Sequence, residues 1–297
     1  EFVTDFSRLF GNVEWRMHKD WVLNAGGMFE HSSLNGDHFA PRLMLHWHFA
    51  EGQTLRYGES QAYRPPSMFE KFANVRYYNP SANGLGPAGT LLDSTTVARG
   101  NVRAEGIVAK EIGYLGDFPE LGFNLDVRVF QEEIRDFIRT FNYPLPGSGL
   151  VNQDAIDFIN GENFQIRGVE YQLKWQPWSG GHLIFNQSYM ENGWTNNGNF
   201  KAQPFSSTGL MFMQTLPGGV DFSVMYSQSD RTNFGGSSDV FAPAMSRTDL
   251  RLAWPLRFGS KRGEVSFVVQ NLGPAYPDFL ASTYFRQQAF VMLKLEN

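Results

Sequence analysis

The sequence YRPPSMFE occupies residues 63–70, and two further stretches follow it, GNVRAE at 100–105 and KEIGY at 110–114. The residues between the first two stretches, 71–99, are rich in Gly, Asn, Pro and Tyr. A loop of this length inside an otherwise regular chain is uncommon, and it is usually either functional or disordered. The segments on its two sides decide between these alternatives.

Segments on both sides of the loop alternate between apolar and polar residues. In 9–18 the odd positions are apolar or small, and polar side chains fall between most of them. In 121–129 the odd positions are all apolar, and Asn124, Asp126 and Arg128 lie between them. A period of two describes a β-strand with a different environment on each face. The same pattern recurs along the chain and predicts about thirteen strands.

The connections between these strands alternate in length. Short turns fall at 18–20, 50–52, 119–120, 178–181, 217–219 and 259–262. Longer polar or aromatic stretches fall at 31–39, 63–105, 141–163, 191–199, 230–242 and 271–282. This alternation is typical of an antiparallel up-and-down transmembrane β-barrel, whose tight turns face the periplasm and whose long loops lie outside. The alternative is a soluble β-sandwich, which also has alternating strands.

Composition agrees with an all-β protein and excludes several classes. Aromatic residues make up 15% of the chain and Gly numbers 30, which is typical of strands and turns. Cysteine is absent, so the chain has no disulfide framework and no thiolate metal site. The net charge of −5 gives no broad basic surface, which argues against nucleic acid as a partner. The sequence contains no run of about 18 apolar residues and no signal peptide at its start.

Motifs for catalysis or cofactor binding are missing from the sequence. It contains no G-x-S-x-G elbow, no H-E-x-x-H motif and no P-loop, so we predict neither an enzyme nor a resident cofactor. His46 and His48 are two residues apart and project from one face of a strand, which makes them a possible metal pair. We interpret them instead as lumen-lining residues, and we predict no metal site.

The boxes around the long loop resemble, in order and spacing, consecutive motifs of the TonB-dependent outer-membrane receptors. The resemblance begins with the three stretches quoted above and continues in IRGVE at 166–170, QNL at 270–272 and YFR at 284–286. It covers nearly the whole chain. One departure is the end of the chain, Leu295-Glu296-Asn297, because members of the family commonly end in an aromatic residue.

The resemblance implies a 22-stranded barrel whose lumen holds an N-terminal plug domain. It also implies that TonB delivers energy through a short N-terminal segment. Neither the plug nor that segment is present in this sequence, so residues 1–297 are predicted to be a single, incomplete domain containing about thirteen C-terminal strands of such a barrel. The implied location is the bacterial outer membrane, and the implied partners are the plug domain, the TonB complex and membrane lipid.

Two groups of candidate site residues follow from this fold. Ligand capture is assigned to the outer loops, because aromatic rings offer flat apolar surface and arginine makes charge-assisted contacts with an anionic chelate. The ligand-binding candidates are Arg76, Tyr77, Tyr78, Arg99, Trp194, Arg231, Phe234 and Phe241. The candidates that face the lumen and the plug are Arg42, His46, His48, Arg56, Arg128, Arg167, Glu170, Arg247 and Arg251.

The predicted function is active transport across the outer membrane. The receptor captures a scarce ligand, foremost a ferric siderophore, in its extracellular loops and imports it with energy derived from TonB. Two alternatives stay open. One is a passive porin or structural barrel, and the other is a TonB-dependent receptor for cobalamin, a saccharide or another metal chelate.

Overall fold

The computed structural model describes residues 3–147, 149–150, 153–192, 205–233, 241–259, 261–278 and 283–296. The strands, numbered along the chain, are β1 (Phe6–His18), β2 (Trp21–Ser32), β3 (Gly36–Ala50), β4 (Gln53–Arg64), β5 (Asn74–Tyr78), β6 (Leu91–Val97), β7 (Glu105–Phe118), β8 (Phe123–Arg135), β9 (Ile138–Pro144), β10 (Asp154–Asn160), β11 (Phe164–Trp178), β12 (Gly181–Asn192), β13 (Ser206–Leu216), β14 (Val220–Ser229), β15 (Thr232–Asn233), β16 (Phe241–Ala242), β17 (Met245–Phe258), β18 (Lys261–Gln270), β19 (Tyr276–Pro277), β20 (Tyr284–Phe285) and β21 (Gln288–Glu296). A short helix, α1, spans Met68–Phe72, and a 3-10 turn spans Pro119–Leu121. Across the described ranges, none of the helical segments has the length and apolar character needed to cross a membrane.

Thirteen strands form one antiparallel sheet, the main sheet, in the order β1-β2-β3-β4-β7-β8-β11-β12-β13-β14-β17-β18-β21. Each of these strands pairs with the next main-sheet strand along the chain, which is the up-and-down arrangement of outer-membrane barrels. Short turns join the strands at one end, and most connections at the other end are long excursions. The connection between β2 and β3 is the exception: the sequence predicted a long stretch at 31–39, but the strands extend to Ser32 and from Gly36, so only residues 33–35 form the turn. The predicted antiparallel, up-and-down architecture is therefore confirmed. Within the described residues β1 and β21 do not pair with each other, so the sheet has two edges.

The main sheet is apolar on one face and polar on the other. Large side chains on the apolar face are uncovered: Leu9 is 75% exposed, Ile112 61% and Leu293 63%. Soluble proteins rarely leave so much contiguous apolar surface in water, whereas the lipid-facing side of a membrane barrel requires it. The opposite face carries Arg56 and Arg128 and is called the lumenal face below.

Local sequence determines where the strands of the main sheet stop. β4 ends before Pro65 and Pro66, because proline fixes φ and has no N–H to donate to a neighbouring strand. Ser67 then caps α1: its hydroxyl accepts from the Glu70 N–H at 3.1 Å, and the Glu70 carboxylate accepts from the Ser67 N–H at 2.6 Å. At the opposite end, Gly122 adopts a φ of +61° and closes the turn between β7 and β8.

The excursions at the long-loop end contain three small sheets. The largest, called the loop sheet, has four strands in the order β5-β6-β10-β9, and the others are the pairs β15-β16 and β19-β20. The loop sheet takes β5 and β6 from the excursion 65–104 and β9 and β10 from the excursion 136–163. Both excursions were predicted to be loops. Their strands give little alternation in sequence, because they are only five to seven residues long and the pairing of β5 with β6 contains two register shifts.

Candidate functional site

The base of the loop sheet is fixed by an ion-pair cluster where β4 ends and β7 begins. Arg64 Nε donates to Glu105 Oε1 at 2.6 Å, and Arg64 Nη1 lies 3.2 Å from Glu70 Oε2. Glu105 Oε2 also accepts the N–H of Ile138 at 2.9 Å, which ties the second excursion to the same carboxylate. The boxes 63–70 and 100–105 therefore meet at one structural junction.

Asp157 of β10 holds the two excursions together. Its side chain is only 2% exposed, and its carboxylate accepts from the Arg99 N–H at 2.9 Å, from Arg99 Nε at 2.6 Å and from the Phe158 N–H at 2.8 Å. Burial opposes the charged carboxylate, but the hydrogen bonds from Arg99 and Phe158 outweigh burial and hold the pKa of Asp157 below its usual range. Asp157 is therefore a carboxylate at neutral pH and a fixed link between the excursions.

Further contacts cross the same boundary between the excursions. Thr96 of β6 pairs in parallel with Ile156 of β10, and the Tyr143 hydroxyl donates to the carbonyl of Val97 at 2.9 Å. Asn160 accepts from the Arg103 N–H at 2.8 Å and donates to the Arg103 carbonyl at 3.0 Å. Backbone and side-chain bonds together make the loop sheet one packed unit.

Arg76, Tyr77 and Tyr78 lie together on β5, at the edge of the loop sheet. Tyr77 is 55% exposed and Tyr78 54%, and Arg76 Nε donates to Asn74 Oδ1 at 2.7 Å. Arg99 belongs to the same unit, but its guanidinium contacts Asp157 and lies 4.6 Å from the centre of the Tyr143 ring. The loop sheet thus brings together four of the predicted ligand-binding residues: three lie on an exposed edge, and the half-exposed Arg99 is bound to the buried Asp157.

The remaining predicted ligand-binding residues belong to other excursions. Arg231 is exposed in the excursion that follows β14. Phe241 pairs through its backbone with Asn233 in the β15-β16 pair. Trp194 and Phe234 lie outside the described residues, so their assignment to the ligand surface stays a prediction.

The lumenal face carries a network of ion pairs across β4, β7, β8 and β11. Arg56 Nη2 lies 2.9 Å from Asp126 Oδ1, and Arg56 Nε lies 3.8 Å from Glu111 Oε1. Arg128 contacts Glu111 at 3.4 Å and Glu170 at 3.5 Å. The Nε atoms of both arginines are buried and have no hydrogen-bond partner among the described residues. The network is therefore compact, and its exposed groups are the carboxylates of Asp126 and Glu170, which are 42% and 43% exposed.

A trough of about 650 Å³ runs along the lumenal face beside this network. One side is charged and the other consists of hydroxyl and amide side chains. Its lining includes Arg56, Asp126, Arg128 and Glu170 on the charged side and Asn186, Ser188, Ser207 and Ser227 on the neutral side. The lumenal wall changes from charged to neutral between β11 and β12.

A second charged cluster attaches the β19-β20 excursion to the wall. Arg247 Nε donates to Asp249 Oδ1 at 2.7 Å, and the Arg247 guanidinium lies 4.5 Å from the centre of the Phe285 ring. The Asn271 N–H donates to the same Asp249 carboxylate at 2.9 Å. Arg247 therefore fastens an outer excursion to the wall as well as lining the lumen.

The other predicted lumenal residues occupy the lumenal face, with one exception. Arg42, His46 and His48 alternate on β3 with the residues of the apolar face, and Arg251 forms an ion pair with Glu264. Arg167 does not share this face. It pairs laterally with Gln131 and Glu191, on the side of β11 that also carries Val169 and Leu173.

The lumenal assignment of Arg167 is therefore wrong. Residues on one strand face opposite sides when they are an odd number apart, and Arg167 is three residues from Glu170. Its guanidinium instead pairs with Glu191 at 3.0 Å and is 71% exposed at the outer rim of the apolar face. The parity of the strand contained this signal, because Val169, Tyr171 and Leu173 share the parity of Arg167.

Two residues of the site, Glu111 and Asp157, were not predicted from the sequence. Glu111 belongs to the KEIGY box, and its alternation with Ile112 could have placed it in the lumenal network. Asp157 had no local signal, because the residue that it contacts, Arg99, is 58 positions away. Among the described residues, no group of three or more His, Asp or Glu side chains is placed to hold a metal ion.

Comparison with known proteins gives consistent matches. The sequence model of the family described as "TonB dependent receptor-like, beta-barrel" matches residues 2–272. The ferrienterobactin receptor of Escherichia coli (strain K12) is 25% identical over 191 residues, which cover 64% of this chain and 23% of that receptor.

Solved structures share the fold over almost the whole chain. A mutant of the ferric enterobactin receptor PfeA from Pseudomonas aeruginosa, in complex with enterobactin, has a TM-score of 0.75 and 17% identity, and the match covers 98% of this chain and 45% of that one. The siderophore receptor PirA from Pseudomonas aeruginosa has a TM-score of 0.71 and 15% identity, with 99% and 49% covered. At these identities the likeness shows the fold, and the chain spans less than half the length of either protein.

Proposed function

Because this chain belongs to the TonB-dependent receptor-like β-barrel family, we propose that it is the barrel part of a receptor that captures a ferric siderophore and imports it across the outer membrane. The observation that carries the proposal is the loop sheet, which presents Arg76, Tyr77 and Tyr78 at the long-loop end of a membrane-type wall. The ligand binds without covalent chemistry, so the protein acts as a receptor and not as an enzyme.

The chemistry of this exposed edge suits an anionic, aromatic iron chelate. Arginine makes charge-assisted hydrogen bonds with anionic oxygen atoms, and tyrosine rings stack against flat aromatic groups. Tyr77 and Tyr78 each leave more than half of their surface uncovered. The relatives also point to such a chelate: one matched receptor is named for ferrienterobactin, and one solved structure contains enterobactin.

The two faces of the main sheet support the membrane location and a lumenal partner. The uncovered apolar face suits outer-membrane lipid, with the long loops on the extracellular side. On the lumenal face, the side chains of Asp126 and Glu170 are 42% and 43% exposed, so their carboxylates can accept further hydrogen bonds. We assign the donors to an N-terminal plug domain, whose rearrangement by TonB releases the ligand into the periplasm.

Uptake of radiolabelled ferric enterobactin by cells that express the full-length receptor tests this proposal. We expect uptake in cells with TonB and none in cells without it. Equal uptake without TonB would instead identify a passive porin. Failure to take up ferric enterobactin, with uptake of another chelate, cobalamin or a saccharide, would change the ligand and keep the transport mechanism.

A triple variant tests the ligand surface itself. Arg76→Ala, Tyr77→Ala and Tyr78→Ala together remove one charge and two rings, so affinity for ferric enterobactin should fall at least about tenfold. The matched control is Tyr284→Ala with Arg286→Ala, which removes an exposed tyrosine and arginine from the β19-β20 excursion at the same end of the wall. Affinity within twofold of the wild type in the triple variant would show that ligand binds elsewhere.

A further inference from the structure

We infer that the loop sheet works as one preassembled body, in which Asp157 is a positioning residue for the ligand surface on β5. Ligand entry moves the excursions 65–104 and 136–163 together and never separates β6 from β10. This inference deepens the proposed function and rests on it. It differs from an arrangement in which each outer loop closes over the ligand independently.

The boundary between the two excursions is buried like the interior of a small domain. Asp157 is 1% exposed as a residue, Ala155 2% and Ser94 0%. Pulling β10 away from β6 would remove the two Arg99 donors from the Asp157 carboxylate. A buried carboxylate that loses two of its three donors, and with them its ion pair, is strongly unfavourable unless water replaces them, so the excursions separate only if this interior opens to solvent.

A continuous chain of contacts links Asp157 to the ligand surface. Arg99 follows β6 by two residues, and β6 pairs with β5 along its length. The N–H of Ala98 donates to the carbonyl of Ala73, immediately before β5, at 2.8 Å. The position of Tyr77 and Tyr78 therefore depends on β6, and the position of β6 depends on Asp157.

The far end of the β5-β6 hairpin is fixed in the same way. Asn79 is 2% exposed, its N–H donates to the Thr90 carbonyl at 2.8 Å, and its Nδ2 donates to the Gly86 carbonyl at 2.8 Å. These bonds close the connection 79–90 onto the ends of the two strands. The hairpin that carries the ligand surface is thus fixed at both ends.

Hydrogen exchange of the full-length receptor without ligand tests the coupling. Asp157→Asn keeps the size of the side chain but removes its charge and one acceptor. We expect amides of β5 and β6 to lose protection together with those of β10, by at least tenfold. Glu162→Gln is the matched control, an exposed carboxyl in the same excursion, and should change nothing. A loss of protection confined to β10 would overturn the inference.

Cross-linking the two strands tests whether they separate during capture. The chain contains no cysteine, so a Thr96→Cys, Ile156→Cys double variant places a single disulfide across the β6-β10 pair. Oxidised and reduced forms should bind ferric enterobactin within twofold of each other. Binding that is lost on oxidation and restored by reduction overturns the inference. If the wild-type receptor does not bind ferric enterobactin, the ligand assignment of the proposed function fails, and the exchange experiment, which uses no ligand, alone decides the inference.

Discussion

Gly113 lies beneath the side chain of Arg56 on the lumenal face, and Gly113→Ala tests how much the ion-pair network stabilises the wall. A Cβ atom at residue 113 would lie 2.9 Å from both Cγ and Cζ of Arg56 and closer still to its Nε. These distances are shorter than any normal contact, so the arginine side chain has to move. Its movement breaks the 2.9 Å ion pair with Asp126.

The size of the effect follows from one loss, which solvent screening reduces, and one gain. A hydrogen bond to a charged group contributes about 1.5–3 kcal/mol. Arg56 is 21% exposed and Asp126 42%, so solvent screening reduces this contribution to about 1–2 kcal/mol. Alanine is more favourable than glycine in a strand by about 0.5–1 kcal/mol, which offsets part of the loss. We therefore expect the free energy of unfolding to fall by about 1 kcal/mol.

Urea unfolding of the purified receptor in detergent, followed by tryptophan fluorescence, measures this difference. Gly209→Ala is the control, because residue 209 lies on β13 on the same lumenal face as Gly113, and its Cβ atom would meet nothing closer than Asn186 Nδ2 at 3.8 Å. The control should lose no stability. In an Arg56→Ala background Gly113→Ala should also cost nothing, because the displaced side chain is gone. Equal stability of Gly113→Ala and Gly209→Ala, or a loss that persists without Arg56, would refute the reasoning.

Three further predictions concern the wall and the excursions. Gly168→Ala places a Cβ atom against the backbone oxygen of Tyr189, which cannot rotate away, so the folded fraction on unheated SDS gels should fall well below that of Gly209→Ala. Asn271→Ala loses the two hydrogen bonds that the Asn271 side chain donates to excursion carbonyls, and its backbone keeps a φ of +55°, which is strained for alanine. Asn271→Gly loses the same bonds without that strain. The excursion that starts at residue 271 should therefore be more sensitive to protease in the alanine variant than in the glycine variant. The lowered pKa of Asp157 means that its stabilisation is complete above its unfolded-state value of 3.8 and disappears as pH falls through the lower folded value. Loop-sheet protection, corrected for intrinsic exchange rates, should therefore be equal at about pH 7 and pH 5 and fall only below about pH 4.

The wall of this protein was predictable because its signals are local and repeated. Alternation along 9–18 or 121–129 reports the two environments of a single strand, and the length of most connections indicates the end of the sheet at which they lie. Connection length failed between β2 and β3, where only residues 33–35 lie between the strands at the long-loop end. The end of β4 was equally predictable, since Pro65 and Pro66 stop the strand that precedes them. The short helix α1 was not predicted, although the capping box of Ser67 and Glu70 is a local signal for its start.

The loop sheet was not predictable in this way, because its contacts are distant in sequence. β6 pairs with β10, which lies about sixty residues further along the chain, and no pattern within either strand identifies the other as its partner. Arg99 illustrates the consequence. Its chemistry suited a ligand contact, but its guanidinium contacts the buried Asp157, whose importance depends on a partner that sequence alone does not identify.

Chain entropy explains how an excursion as long as 65–104 can be inserted between two paired strands of the main sheet. β4 and β7 are hydrogen-bonded neighbours, although residues 65–104 separate them. Loop-closure entropy grows only with the logarithm of length, so replacing a two-residue turn by this excursion costs on the order of 2–3 kcal/mol. The excursion recovers this through its own packing, with no change in the register of the strands that carry it. The excursion is in this sense a module that can be exchanged without altering the wall. If the proposed function holds, a different sequence grafted between Arg64 and Glu105 should change the bound ligand while the pairing of β4 with β7 stays the same.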